Sequence, residues 1–239
     1  MGNEQYTMGW VCALPIERAA ARAMLEEVHE TTIERNLSDN NTYTLGRIGP
    51  HNLVIASLPA GVYGESPAAT AAAQMLSTFP SIRIGLLVGI GGGIPSEQHD
   101  IRLGDVVVSR PDKDMGGVVQ FDRGKLLQHG RFVRTGSLNK PPSVLLTALA
   151  ELEADHELEE SKVSCYMTEM MERYPKMRTE YSYQGQANDV LFKSGYEHSE
   201  DEPTCETCDQ SQAVHRPERD PGPLIHYGLA TRAERPCSG

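Results

Sequence analysis

Three groups of residues in this 239-residue chain have types and spacing suited to chemistry. The first is Gly89-Ile90-Gly91-Gly92-Gly93, which follows the apolar run Ile84-Gly85-Leu86-Leu87-Val88. Glycines placed there let backbone N–H groups approach a ligand closely, and α/β sheets bind ligands at the carboxyl ends of parallel strands. The run fails as a dinucleotide fingerprint, because Ile94 stands at the third glycine position, and no Gly-Lys-Ser/Thr follows to make a phosphate loop. A tight strand-to-loop turn is the plain alternative. The second group, Gly61-Val62-Tyr63-Gly64, precedes an alanine-rich segment. A small-residue turn at a helix N-terminus could hold a sugar or an anion, although an ordinary strand–helix turn has the same text. The third is Glu17, just after Pro15. Its carboxylate could orient a water as general base at a strand end, or simply suit the helix dipole in a first turn.

Two other clusters carry weaker signals. Cys205-Glu206-Thr207-Cys208 is half a zinc site by spacing, but no second cysteine pair exists and His198 and His215 complete no standard pattern. No metal and no cofactor is therefore expected. Asp100, Asp105, Asp112, Asp114 and Asp122 crowd one stretch without the spacing of a calcium loop, and read as a solvated acidic loop.

The elements that must position these residues alternate between strand and helix. Tyr6 to Leu14 is an apolar strand-like run ending at Pro15, which suits the first position of the helix formed by Glu17 to Leu25. Asn40–Ile48 and Asn52–Leu58 read as a hairpin about Gly49-Pro50-His51. Ser66-Pro67 supplies an N-cap and first residue for a helix to about Ser77. Ile84–Val88 and Asp105–Ser109 read as buried parallel strands, apolar on both faces. A short strand at Val118–Phe121, a helix from Ser143 to about Glu153 and a helix over Val163–Glu172 follow. This order predicts an α/β fold: a mixed, mostly parallel sheet flanked by helices.

Charge and apolar content are unevenly placed. Of the formal −11, residues 1–150 carry −1 and residues 151–239 carry −10. Valine, isoleucine and leucine number 37 in the front segment and 9 in the back. The front reads as a glycine-punctuated core and the back as solvated. An acidic chain with no basic stripe argues against a nucleic-acid groove. No apolar stretch reaches the length of a membrane span, the N-terminus lacks a signal-peptide pattern, and Tyr6 spoils the acylation motif. Five scattered cysteines do not make a disulfide framework, so a reducing, cytoplasmic setting is expected.

Gly9-Trp10-Val11-Cys12-Ala13-Leu14-Pro15-Ile16-Glu17, Asp39 to Gly46, Leu58 to Gly64, Val88 to Gly93 and Leu103-Gly104-Asp105-Val106-Val107-Val108-Ser109 fall in an order that resembles the nucleoside phosphorylase/nucleosidase superfamily. The resemblance is to the version found in filamentous fungi ahead of signalling modules. Gly116 to Asp122 and Arg134 to Pro142 are similar to the same group. The likeness spans about residues 6–229 of a single domain: a core at 6–160, an acidic mobile excursion at about 174–223, a returning strand at 224–229 and an unlike tail at 230–239.

The resemblance implies cleavage of the N-glycosidic bond of a purine nucleoside by water or phosphate, with no nucleic-acid or membrane partner and a homo-oligomeric complete form. By position, Glu17 resembles the carboxylate that places the attacking water. Gly61, Val62, Gly64, Gly89, Ile90, Gly91 and Gly92 resemble the loops around the ribose and the nucleophile. Asp105 resembles a structural aspartate, and Gln120 and Asp122 resemble residues near the sugar or base. Phosphorolytic members carry an arginine and a serine where this chain has Leu87 and Ile90, so hydrolysis is favoured. After Leu229 the text departs from the family before its ribose-gripping glutamate and general-acid aspartate. The expectation is a fold incomplete at its C-terminal side and a weak or inactive chain; the alternative is a non-catalytic nucleoside sensor or partner-binding remnant.

Overall fold

Leu53 and Ile55 project to one side of a strand and Val54 and Ala56 to the other, and all four are buried. That strand, β4 (His51–Ser57), therefore needs a helix on each face. The computed structural model describes residues 2–30, 33–62, 64–120, 124–126, 132–134, 139–183, 185–198, 204–220 and 222–232, whose contacts divide into two compact units. Unit 1 comprises residues 1–92 with 169–175. Its sheet contains β1 (Met8–Cys12), β2 (Glu27–Val28), β3 (Tyr43–Ile48), β4 and β5 (Ile84–Leu87), in the order β2-β3-β4-β1-β5. The β3–β4 hairpin is antiparallel, whereas β1 runs parallel to both β4 and β5.

Helix α1 (Pro15–Ala23) starts at the predicted proline, and Ala21 packs with Cys12, Leu25, Leu53 and Ile55. Helix α2 (Glu65–Thr78) joins the opposite layer, where Met75 and Phe79 meet Tyr6, Tyr43, Leu45, Val54 and Ala56. Phe79 stands edge-on to both Tyr6 and Tyr43, with ring centroids 5.6 and 5.0 Å away. Helix α2 is capped by Gly64 rather than Ser66, so Pro67 sits inside its first turn. Gly64 has φ +111°, which a side chain would disfavour and which turns the chain directly into the helix.

A buried polar knot holds α2 to the start of β3. Asp39 accepts hydrogen bonds from the Tyr43 hydroxyl (2.7 Å), the Asn41 amide (2.9 Å) and the Thr78 hydroxyl, while Asn41 Nδ2 donates to Ala71 O at 2.9 Å. Burial opposes the Asp39 charge, but those donors and nearby Arg35 outweigh it and hold the carboxyl below its usual value.

Strand β5 departs from its sequence reading. It is the outer strand of the sheet in unit 1, and Leu87 is 72% exposed. A strand is buried on both faces only where a layer covers each, as α1 and α2 do for β4; in β5 the face carrying Gly85 and Leu87 is exposed and that carrying Ile84 and Leu86 only half-buried.

Unit 2 comprises residues 93–168 with 176–239. Here β6 (Val106–Ser109) runs parallel to β10 (Ile225–Gly228), and β7 (Val118–Gln120) parallel to β11 (Ala230–Arg232). Strands β8 (Gly124–Leu126) and β9 (Phe132–Arg134) form a hairpin, and α3 (Ser143–Leu158) and α4 (Val163–Arg173) follow. β6 is only half-buried, with Val107 exposed, again less enclosed than its text implies. The end of α4 belongs to unit 1, where Arg173 donates to Leu25 O at 2.6 Å and Met170 is buried.

Charged pairs do in unit 2 much of what side-chain burial does in unit 1. The Asp105 carboxylate, fully buried, accepts from the Arg102 and Leu224 amides (2.8 and 2.9 Å) and pairs with Arg219 (2.5 Å) and His226 (3.0 Å). Arg216 pairs with Asp189 at 2.7 Å, and Arg102 with Asp100 at 2.6 Å. The acidic segment at 174–223 is thus tied, through its described residues, to the turn at 100–105. The overall class is the expected mixed α/β fold, with a mixed sheet flanked by helices.

Burial would raise the Asp105 carboxyl, but Arg219, the two amides and His226 hold it well below the usual carboxylate range. Its contribution to stability is therefore complete above about pH 4 and declines as acid protonates it. Asp105→Asn is expected to lower the unfolding free energy by about 3 kcal/mol at neutral pH, because it strands Arg219. The difference from the parent should narrow below about pH 4. Urea unfolding followed by tyrosine fluorescence at both pH values checks this.

Candidate functional site

The carboxyl ends of β4, β1 and β5 leave the same edge of the unit 1 sheet, because the three strands are adjacent and parallel. Three chain segments emerge there: the turn after β4 that leads to Gly61 and Gly64, the Ala13-Leu14 turn, and the loop from Val88. The ladder continues just past the strands, with Leu58 N donating to Cys12 O (3.1 Å) and Val88 N to Val11 O (3.2 Å).

Glu17 closes this edge. It lies in the first turn of α1 and is only 9% exposed. One oxygen, Oε2, accepts from the amides of Ala13 (2.7 Å) and Leu14 (2.8 Å), so the side chain reaches back to the N-cap as the glutamate of a capping box does. The other, Oε1, accepts from Ile90 N at 2.7 Å. The turn after β1 and the glycine loop after β5 are joined through one carboxylate. A carboxylate offers about four acceptor positions. Described residues engage three, and a fourth, on Oε1, is the position a water or a ligand hydroxyl would use.

Gly89 is required by this contact. A Cβ at that position would lie 2.5 Å from Oε1 and 2.8 Å from Cδ of Glu17. Gly91 and Gly92 have open space around them, so backbone there is accessible to a ligand. Ile90 is 72% exposed and Val62 is also exposed, giving two apolar side chains at this edge. Val62 N donates to Pro59 O at 3.0 Å, and Gly61 takes φ +77°, which makes a tight turn before α2.

Nearby groups support the edge. Arg18 reaches Ser57 Oγ and Thr44 Oγ1, both at 3.2 Å, and so fastens α1 across β4 and β3. Cys12 is not a nucleophile: burial and the Glu17 carboxylate push its thiol up to about 11, and its Sγ contacts Ala56 O.

The expected residues separate. Glu17, Gly89 and Ile90 meet directly, and Gly61, Val62, Gly64, Gly91 and Gly92 lie on loops of the same unit. Gln120 lies in unit 2, where it ends β7 opposite Arg232. Asp122 and Tyr63 lie outside the described residues. Cys205 and Cys208 lie in unit 2 at the ends of one 3-10 turn. The Arg18 brace and the Asp39–Asn41–Tyr43 knot have no local signal as positioning groups: the sequence shows Asn40–Ile48 as a strand, and the partners of Arg18, Asp39 and Asn41 lie up to 39 residues away.

Over 197 residues, 82% of its length, the chain is 46% identical to a "Nucleotide-binding leucine-rich repeat (NLR)-like protein" of Hyaloscypha variabilis. It covers 19% of that protein. The chain is similar to one segment of an NLR-like protein. It spans about a fifth of the length of this relative. No protein-family model matches the chain. No described helix is long and apolar enough to cross a membrane.

Two substitutions should report the Glu17 contact. Gly89→Ala is expected to destabilise the chain by about 1–3 kcal/mol, since the methyl group must displace the carboxylate or the loop. Glu17→Ala should cost more, because the amides of Ala13, Leu14 and Ile90 lose their acceptor, at roughly 1–3 kcal/mol for each one left unpaired. Thermal unfolding gives the magnitudes. Hydrogen exchange should show the Ile90 amide losing protection in both variants.

Proposed function

We propose that this chain is a nucleoside-binding domain of a signalling protein, built to cleave the N-glycosidic bond of a purine nucleoside with water as nucleophile. The observation that carries the reading is the Glu17–Ile90 hydrogen bond (2.7 Å), which sets a carboxylate with a fourth acceptor position beside a glycine loop at a parallel-strand edge. A water held at that position would lose a proton toward Oε1 as it attacks the anomeric carbon, and the base would leave with the bond's electron pair. Leu87 and Ile90 supply neither a cation nor a hydroxyl, so phosphate would lack its charge-assisted partners there. Similarity to an NLR-like protein supports the signalling setting. The cytoplasmic location and a homo-oligomeric state belong to the same reading.

A specific observation favours a second reading, a sensor that binds without turnover. Three of the Glu17 acceptor positions are committed to backbone amides, which is what a purely structural carboxylate would also do.

Calorimetry with adenosine and inosine, paired with chromatographic detection of free base, separates the readings. The expected result is saturable nucleoside binding and only weak, phosphate-independent base release. Glu17→Gln should reduce release by ~10²–10⁴-fold, the usual contribution of a positioned general base, while nucleoside binding persists. Binding without release selects the sensor. Release that requires phosphate replaces hydrolysis with phosphorolysis, and absence of saturable binding overturns both readings.

A further inference from the structure

The cysteine pair that looks like half a site in the sequence gains a third donor in the fold. The sulfurs of Cys205 and Cys208 and one ring nitrogen of His198 all lie within 4.8 Å of one another. The 3-10 turn Cys205–Thr207 brings the two thiols round, with Cys208 N donating to Cys205 O at 3.2 Å. His198 comes from residues 191–198, which are tied to residues 209–214 by an isolated antiparallel bridge between Phe192 and Ala213 and by further hydrogen bonds. There Val214 N donates to Leu191 O (2.7 Å), Lys193 N to Gln212 O (3.1 Å) and Asp209 N to the Tyr196 hydroxyl (2.8 Å), while Phe192 and Tyr196 stack at 5.3 Å.

The chemistry of this trio is that of a borderline-soft cation. Two thiolates and an imidazole suit zinc, with tetrahedral geometry and a fourth ligand supplied by water. His198 Nε2 lies 3.1 Å from Thr204 O, the backbone contact by which a ligating histidine is commonly oriented and its tautomer chosen. Few apolar residues lie nearby to hold the segment; residues 191–214 contain one leucine and one valine. Small core-poor modules are commonly closed by metal in that circumstance.

The geometry points to a zinc-binding clip formed by His198, Cys205 and Cys208, which fastens residues 191–198 to residues 204–214. It does not depend on nucleoside chemistry. Binding converts two thiols to thiolates and releases two protons, so affinity falls as pH falls.

The test uses the full chain, reduced with a phosphine, stripped with a chelator and titrated with Co²⁺, whose thiolate complexes are coloured. One cobalt per chain is expected, with sulfur-to-metal charge-transfer absorption and intense tetrahedral bands that Zn²⁺ displaces. Cys205→Ser and Cys208→Ser should each abolish the charge-transfer band. His198→Asn should weaken binding by at least about tenfold, the lesser cost of losing even a supporting partner. Cys165→Ser should bind like the parent. Zinc should also slow proteolysis between residues 191 and 214. Absence of the bands, their survival in the Cys205→Ser/Cys208→Ser double variant, affinity indifferent to His198→Asn, or a Cys205–Cys208 disulfide that persists in reductant would each overturn the proposal.

Discussion

A buried carboxylate has to satisfy its oxygens, and the way Glu17 does so organises the carboxyl-end edge of the sheet in unit 1. Its acceptors are the amides of Ala13 and Leu14, at the turn it helps to cap, and of Ile90, more than seventy residues along the chain. The contact joins the exits of two adjacent parallel strands. It also explains local choices of residue. Pro15 starts α1 where an N–H would go unused, Glu17 falls two positions later where it can reach back, and Gly89 leaves room for the carboxylate. A negative charge near the N-terminus of α1 is further favoured by the helix dipole.

That edge is held in place by packing behind it. β4 buries both faces, so α1 and α2 are pressed onto opposite sides of one strand and their N-termini follow the strand ends. The Asp39–Asn41–Tyr43–Thr78 knot sets where α2 lies relative to β3, and Arg18 does the same for α1. A buried polar network of this kind is directional where apolar contact is not, so it selects one placement among several of similar burial.

Unit 2 solves a different problem. It contains most of the acidic, leucine-poor back of the chain, and arginine–carboxylate pairs and turns hold its described residues together. Asp105 is the hub, accepting from the residue that precedes β6 by a short turn and from residues that lead into β10. Three carboxylates of unit 2 are not simply solvated: Asp100 and Asp105, from the turn before β6, and Asp189, from the acidic segment, each face arginine.

The sequence by itself determined the local elements. Pro15 announced α1, Gly49-Pro50 the β3–β4 turn, and the alanine run α2, because capping, turn formation and periodicity involve residues a few positions apart. It also pointed to Glu17 and the Gly89–Gly92 loop as separate candidates. Only the tertiary structure decided that these two meet, that β5 is an outer strand with Leu87 open, and that His198 joins Cys205 and Cys208. A strand apolar on both faces has the same text whether or not a layer covers it, and a histidine seven positions before a cysteine pair has no fixed relation to it until the fold brings them together. Such pairings depend on long-range strand order and loop closure, which spacing along the chain does not encode.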